Sequence, residues 1–164
     1  MYTIKKQFEF SASHQLLHLR NPAWPEDDER QHQCSRDHGH NYIVEVELQA
    51  ELLDSRGFVV DYGELRAFKE YIDATFDHRR LNDVFAFYTT AENLARHLFG
   101  WCYIRWIQTV AVRVSETPKT WAEFRPGQHI EGTTEDATTT VVEIAMDHDL
   151  ARRICELIET RVGG

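Results

Sequence analysis

The sequence has few cysteines, no long apolar run and no excess of positive charge, and each of these features excludes a class of protein. Its three cysteines are widely spaced and odd in number, so we expect no disulfide framework and a reducing, cytoplasmic setting. No apolar stretch approaches the ~20 residues that span a bilayer, and MYTIKKQFEF does not resemble a signal peptide. A formal net charge of -9 argues against nucleic-acid or anionic-membrane binding.

Two long segments alternate between apolar and polar residues, which predicts two half-buried antiparallel strands. In residues 2–14 the apolar face ends at His14, and in residues 38–50 it begins with His38 and His40. Residues 15–37 lose this alternation and gather prolines and acidic side chains. We interpret them as a loop whose length is typical of functional loops.

Capping patterns predict two helices. Asp61 followed by Glu64 opens the first, and Thr89 followed by Glu92 opens the second. The apolar positions at helical spacing are Leu65, Phe68, Ile72 and Phe76 in the first helix and Leu94, Leu98 and Trp101 in the second.

The remaining segments complete an α+β domain at residues 1–126, with an antiparallel sheet and two helices packed on one face. DSRGFVVDYGEL predicts a turn and a short strand, and residues 107–116 predict a third long strand whose apolar face includes Val110. Residues 127–164 are expected to form an extension packed on the same domain, with a strand at VVEIAM and a final helix capped by Asp149.

Three histidines are predicted to form a metal site. His14 ends one strand and His38 and His40 begin the next, all on the apolar faces. If the two strands pair across the loop, the three imidazoles converge at one edge of the core. Neutral imidazoles suit Zn²⁺, and the sequence shows no redox apparatus, so zinc is the metal it favours.

Cys34, four residues before His38, allows two interpretations. It could be a fourth ligand in a closed structural zinc site, or a thiolate beside the metal that acts on a substrate. The absence of CxxC spacing and the nearby Arg36 favour the catalytic interpretation slightly. Cys102 and Cys155 are expected to be inert buried thiols.

Three further polar residues are candidates for chemistry. Asp77 beside His78 could orient an imidazole for proton transfer, although such pairs are also common by chance. Glu116 continues an apolar strand face, so its carboxylate needs a partner. That partner is either an internal Arg or Lys, or a ligand with two parallel N–H donors such as a 2-amino-pyrimidinone edge.

Six segments in order resemble the 6-pyruvoyl-tetrahydropterin synthase / 6-carboxy-tetrahydropterin synthase (QueD) family. They are FSASHQL, CSRDHGHNYIVEVEL, GFVVDYGELRAF, FDHRRLND, TAENLARHLF and VRVSETPKTWAEF. The resemblance spans about residues 1–126. The resemblance implies the tunnelling fold and ring-like homo-oligomers, commonly hexamers, with active sites at subunit interfaces.

The resemblance also implies roles for the candidate residues. The implied zinc ligands are His14, His38 and His40; the implied catalytic residues are Cys34, Asp77 and His78; and Glu116 is the implied pterin anchor. The substrate of such enzymes is 7,8-dihydroneopterin triphosphate. The short interval from Cys34 to the HGH segment favours the 6-carboxy branch of queuosine or 7-deazapurine biosynthesis, whereas the HGHNY ending is shared with the pyruvoyl branch.

Two alternatives remain open from the sequence. The chain could be a non-enzymatic, zinc-stabilised binding domain in which Cys34 ligates the metal and Glu116 is paired internally. The same chemistry could also serve secondary metabolism. The acidic run at 26–29 is unexpected beside a triphosphate site, and Arg36, Arg79, Arg80 or Lys119 could offset it.

Overall fold

A computed structural model describes residues 1–127, in which a five-stranded sheet carries its helices on one face. The strands are β1 (Tyr2–His14), β2 (His38–Ala50), β3 (Arg79–Arg80), β4 (Thr109–Thr117) and β5 (Thr120–Phe124). The helices are α1 (Arg66–Thr75), α2 (Leu81–Val84) and α3 (Ala91–Arg105), with 3₁₀ turns at Leu17–Leu19 and Gln33–Ser35. The predicted VVEIAM strand and final helix lie outside the described residues. No helix within residues 1–127 is long and apolar enough to cross a membrane.

The sheet has the strand order β3-β1-β2-β4-β5, which confirms the predicted α+β class. β1 and β2 pair antiparallel along their whole length, from Tyr2 opposite Ala50 to His14 opposite His38. The end of β1 therefore meets the beginning of β2. β3 departs from the predicted antiparallel pattern, because its two residues pair parallel with β1.

The helices bury the apolar face of the sheet. Phe68 and Ile72 of α1 and Leu94 and Leu98 of α3 are buried, as helical spacing predicted, whereas Trp101 is only partly buried. α3 also buries three residues outside that predicted set: Ala95, Phe99 and Cys102. Each apolar side chain moved out of water contributes about 1.5–3 kcal/mol to the stability of such a core. Members of this core from the sheet and both helices include Phe8, Phe10, Val44, Val46, Leu48, Phe68, Ile72, Leu94 and Leu98.

The opposite face of the sheet is covered by charged side chains that neutralise one another. Arg113 lies 2.8 Å from both Glu45 and Glu47, and Arg125 lies 3.0 Å from Glu47. Burial alone would raise the pKa of Glu47, but hydrogen bonds from Arg113 and Arg125 lower it to about 2. This face is therefore ionic although little of it is exposed.

The predicted short strand in DSRGFVVDYGEL and the cap at Asp61 are both wrong. The Asp54 carboxylate accepts hydrogen bonds from the backbone N–H groups of Arg56 and Phe58 at 2.9 Å, which favours a turn over a strand. The Asp61 carboxylate likewise accepts from Gly63 N–H at 2.7 Å. α1 therefore begins later, at Arg66, without a side-chain cap.

Two further predictions need correction near the helix and strand ends. Thr90, not Thr89, caps α3, since its hydroxyl accepts from Asn93 N–H. In β4 the pairing slips between Glu47 and Leu48, so Val110 is an extra, half-buried residue instead of part of a continuous apolar face. The sequence interpretation also did not assign β5.

Candidate active site

The structure brings His14, His38 and His40 together at the open end of the β1–β2 pair. Their candidate ligand atoms all lie within 4.8 Å of one another. The sheet register explains this convergence, because His14 lies opposite His38 and Ala12 lies opposite His40. The side chains of alternate residues point to one face, so the three imidazoles lie on the same side of the sheet.

Backbone carbonyls orient two of the imidazoles. His14 Nδ1 lies 2.7 Å from the Thr89 carbonyl, and His38 Nδ1 lies 2.8 Å from the Arg36 carbonyl. A carbonyl only accepts, so each Nδ1 carries the proton and each neutral ring directs an unprotonated Nε2 at the other, 3.1 Å away. Two facing lone pairs need a cation or a proton between them.

The residues present fit a zinc ion. Tetrahedral zinc binds imidazole nitrogens at about 2.0–2.1 Å, which holds the nitrogens roughly 3.4 Å apart. The Nε2 of His40 is buried and has no hydrogen-bond partner within residues 1–127, as expected of an atom that takes a metal. Burial, together with the neighbouring His38 charge, lowers the pKa of His14 and of His40, which favours the neutral, ligating imidazole.

Cys34 is near this cluster through its backbone but is not part of the group of close ligand atoms. It lies in the 3₁₀ turn Gln33–Ser35, its N–H donates to His32 Nδ1 at 3.1 Å, and its carbonyl accepts from Leu16 N–H at 2.8 Å. Since Leu16 is two residues beyond His14, the turn is fixed to the end of β1. The arrangement favours three ligands over the closed four-ligand site.

Asp77 and His78 form a pair at the outer edge of β1. His78 Nδ1 lies 3.0 Å from Asp77 Oδ2, while the other carboxylate oxygen accepts from Ser11 N–H at 2.9 Å. His78 has φ 56°, a left-handed conformation that is uncommon outside glycine, and its N–H donates to the Ser11 carbonyl. The structure therefore fixes the pair firmly.

The His78 side chain is 81% exposed. It borders an open groove of about 490 Å³ along β1 and β2 together with Arg79 and Arg80. Within residues 1–127 the structure shows no hydrogen bond from Cys34 to either Asp77 or His78. Of the three predicted catalytic residues, the structure of residues 1–127 shows contact between Asp77 and His78.

Glu116 points toward the histidine cluster, with its Oε1 3.9 Å from His14 Nε2. It has no Arg or Lys partner within residues 1–127, so the structure does not support the internally paired alternative. Burial raises the pKa of Glu116, the Glu92 charge raises it further, and His38 opposes them. A half-buried carboxylate without an Arg or Lys partner is suited to accept hydrogen bonds from a ligand.

Glu116 borders a second groove, of about 410 Å³, between β2 and the β4–β5 turn. This volume is within the range of small-molecule sites. The two grooves share Gly39, His40 and Asn41, so they flank the same stretch of β2.

Two of the four acidic residues at positions 26–29 are paired with arginines of the same loop. Asp28 binds Arg30 through both carboxylate oxygens, and Glu26 lies 3.0 Å from Arg20. Gln31, which is buried, fastens the loop by donating to the carbonyls of Asn21, Trp24 and Pro25. The negative run is therefore less of an obstacle to an anionic substrate than its sequence implies.

Sequence reasoning missed the groups that support the ligands. The Thr89 and Arg36 carbonyls have no signature of their own, because any residue could supply them. Tyr42, by contrast, shares the apolar face of His38 and His40, and a buried tyrosine normally needs a hydrogen-bond partner. The need of a buried tyrosine hydroxyl for a partner could therefore have marked Tyr42 as a candidate site residue.

Comparison with known proteins agrees with this geometry. A model of the family described as 6-pyruvoyl tetrahydropterin synthase matches residues 3–127. An Archaeoglobus fulgidus protein, provisionally named a 6-carboxy-5,6,7,8-tetrahydropterin synthase, is 34% identical over 92 residues that cover 56% of this chain and 78% of that protein. The Bacillus subtilis 6-carboxy-5,6,7,8-tetrahydropterin synthase is 31% identical over 106 residues, covering 57% and 70%.

A solved structure gives the same result for the fold. The Caenorhabditis elegans 6-pyruvoyl tetrahydropterin synthase superposes with a TM-score of 0.61 at 27% identity, covering 76% of this chain and 94% of that one. The family model matches most of the chain, and the neighbour shares the tunnelling fold. The chain belongs to the 6-pyruvoyl tetrahydropterin synthase family.

Proposed function

We propose that this protein is a zinc-dependent 6-carboxy-5,6,7,8-tetrahydropterin synthase. It would convert 7,8-dihydroneopterin 3'-triphosphate and water to 6-carboxytetrahydropterin, acetaldehyde and triphosphate, in queuosine or 7-deazapurine biosynthesis. The observation that carries the proposal is a three-imidazole cluster beside an unpaired, half-buried carboxylate in a groove of ligand size. The names of the Archaeoglobus and Bacillus relatives support the 6-carboxy branch.

Each site residue has a role in this proposal. His14, His38 and His40 hold the zinc, which supplies Lewis-acid polarisation of the substrate's side-chain oxygens. Glu116 accepts two hydrogen bonds from the 2-amino-pyrimidinone edge of the pterin.

Proton transfer is assigned to Cys34 and His78. The Cys34 thiolate removes or returns a proton at a side-chain carbon of the substrate, and His78, oriented by Asp77, does the same from the other side. The short Asp77–His78 distance and the rigid backbone around His78 support its role as an oriented base.

The exposure of His78 supports an active site shared between subunits. On its outer edge β1 pairs only at Ala12 and Ser13, so residues 2–11 have no strand partner there among the described residues. The opposite edge of the sheet ends in β5. Edge-to-edge pairing of successive copies would close a ring and carry His78 toward a neighbour's substrate. A homohexamer is the assembly we propose.

Arg79 is the residue we assign to the triphosphate. It is exposed in the His78 groove and has no ion-pair partner within residues 1–127, whereas Arg80 lies close to both Asp37 and Asp83.

Product analysis tests the proposal. Purified zinc-loaded protein is incubated with dihydroneopterin triphosphate, and the products are identified by mass spectrometry with a separate assay for acetaldehyde. The 6-carboxy branch yields acetaldehyde with carboxytetrahydropterin. Pyruvoyltetrahydropterin with triphosphate and no acetaldehyde would establish the pyruvoyl branch, which the Caenorhabditis structure keeps as the second candidate. The absence of turnover with zinc bound would favour the binding-domain alternative.

A further inference from the structure

Tyr42 has a buried hydroxyl group without a partner, next to the proposed site. The side chain is 0% exposed, and its oxygen makes no hydrogen bond to any group within residues 1–127. Burying an unpaired hydroxyl is unfavourable, and most buried polar groups in proteins are paired. The exception therefore needs an explanation.

Tyr42 lies beside the histidine cluster and borders the same groove as Glu116. Its ring stacks on Phe10 at 4.7 Å and meets the His40 ring edge-on at 5.5 Å. Tyr42 also lines the groove that contains Glu116. Tight ring packing holds the hydroxyl in one place whether or not it has a partner.

Glu116 is the acceptor that this hydroxyl lacks. Its carboxylate makes no hydrogen bond within residues 1–127, and its Oε1 lies 3.9 Å from His14 Nε2. A tyrosine hydroxyl carries its proton at neutral pH, so it can donate a hydrogen bond to a carboxylate.

We propose that Tyr42 is a positioning residue for Glu116: its hydroxyl donates to the Glu116 carboxylate in the ligand-bound protein and fixes the plane in which that carboxylate meets the pterin edge. The inference rests on the proposed function, because it deepens the role of Glu116 there. A bidentate contact depends on the orientation of the carboxylate plane, which a short, directional O–H···O⁻ bond can hold.

The structure also predicts how this role differs from a structural one. A hydroxyl that has no partner in the ligand-free protein contributes nothing to its stability, so Tyr42→Phe should melt at the same temperature as the wild type or higher. The effect of Tyr42→Phe should appear only as weaker ligand binding. Thr109 offers a matched control, since its hydroxyl is also buried without a partner but lies at the opposite end of β4.

The test is a double-mutant cycle on the full-length, zinc-loaded protein. Binding of neopterin is followed by its fluorescence for the wild type, Tyr42→Phe, Glu116→Ala and the double variant, alongside zinc content and melting temperature. We expect Tyr42→Phe to weaken neopterin binding about tenfold while keeping zinc and melting temperature. In the Glu116→Ala background the same change should have no effect. Thr109→Val should bind neopterin like the wild type.

Several outcomes would overturn the inference. They are wild-type binding by Tyr42→Phe, an equal loss in both backgrounds, or a variant that is unstable or unfolded. If these occur while wild-type protein binds neopterin and Glu116→Ala binds it more weakly, the positioning role fails and the proposed function stands. If the wild type itself binds no neopterin, the proposed function fails as well.

Discussion

The three site histidines differ in burial, and the difference determines how each responds to its surroundings. His14 is 1% exposed, whereas His38 and His40 are partly buried. Burial lowers the pKa of His14, so its imidazole stays neutral to a lower pH than an exposed histidine would. Because a metal binds only the neutral imidazole, protons compete with the metal less effectively at His14 than at an exposed histidine.

Substitution of Cys34 and of His38 should separate catalysis from metal binding. We expect Cys34→Ala to keep one zinc per chain and lose turnover of dihydroneopterin triphosphate, because Cys34 lies outside the three-imidazole group. His38→Ala should lose zinc and activity together. Metal analysis and product formation are measured on the same samples, with His18→Ala as an exposed histidine control. Loss of zinc from Cys34→Ala would instead support the structural four-ligand site.

Glu116 should make stability depend on pH. Burial raises its pKa, so the folded protein holds the charged form at a cost whenever the pH is above that pKa. In metal-free protein, Glu116→Gln should therefore gain on the order of 1 kcal/mol at neutral pH. The gain should shrink as the pH falls through the raised pKa of Glu116 and vanish below the ordinary glutamate pKa of about 4.3, where both folded and unfolded chains are protonated.

Urea unfolding at several pH values measures this effect. Glu51→Gln, at an exposed position, should change little at any pH. A loss of stability in Glu116→Gln at neutral pH would mean that the carboxylate has a favourable partner within the folded chain.

At the scale of elements, the start of α3 contributes to the metal site as well as to the helix. Thr90 caps α3, and the preceding Thr89 directs its carbonyl at His14 Nδ1. Two adjacent residues thus pair a free N–H group at the start of the helix and orient a metal ligand. The Thr89 hydroxyl also faces His14, 3.3 Å from Nδ1, whereas the Thr90 hydroxyl accepts from Asn93 N–H, so the cap lies one residue later than predicted.

Removal of the α3 cap should lower stability modestly. Thr90→Ala is expected to cost about 1 kcal/mol in the free energy of unfolding, while Thr90→Ser should retain most of it. Chemical denaturation of both variants provides the measurement. If Thr89→Ala destabilises the helix and Thr90→Ala does not, then Thr89 is the cap after all.

How far the elements could be predicted depends on their length. β1 and β2 follow the predicted bounds because thirteen residues of strict alternation leave little ambiguity. From these phases the convergence of His14, His38 and His40 could also be predicted. β5 and β3 have five and two residues, too few to show a period. The position of His78 beyond the β1 edge depends on long-range pairing that no local pattern records.

At the scale of the whole molecule, the long outer edge of β1 is the main unpaired feature within residues 1–127. The N–H and carbonyl of Ser11 point outward from β1, since they bond to Asp77 and His78. Backbone directions alternate along a strand, so those of Gln7 point the same way. The unpaired backbone of residues 2–10 at this edge favours pairing with a neighbouring copy.

Gln7→Pro should therefore reduce the size of the assembly. Proline removes the outward N–H and blocks strand pairing at this edge, but it leaves the β1–β2 ladder intact. Size-exclusion chromatography with light scattering should give a smaller mass for Gln7→Pro than for the wild type or for Gln7→Thr, which keeps the N–H. An unchanged mass would exclude the β1 edge from the interface, and a monomeric wild type would contradict the proposed ring.

The register of β1 against β2 has a consequence for folding quality. His14 opposite His38 is a single alignment among several that thirteen-residue strands could adopt. A slip of one residue would turn the side chains of one strand to the other face and separate the imidazoles. Only correctly aligned chains can then hold the metal. The zinc bound per chain in a refolded sample therefore measures the fraction of molecules with the correct strand register.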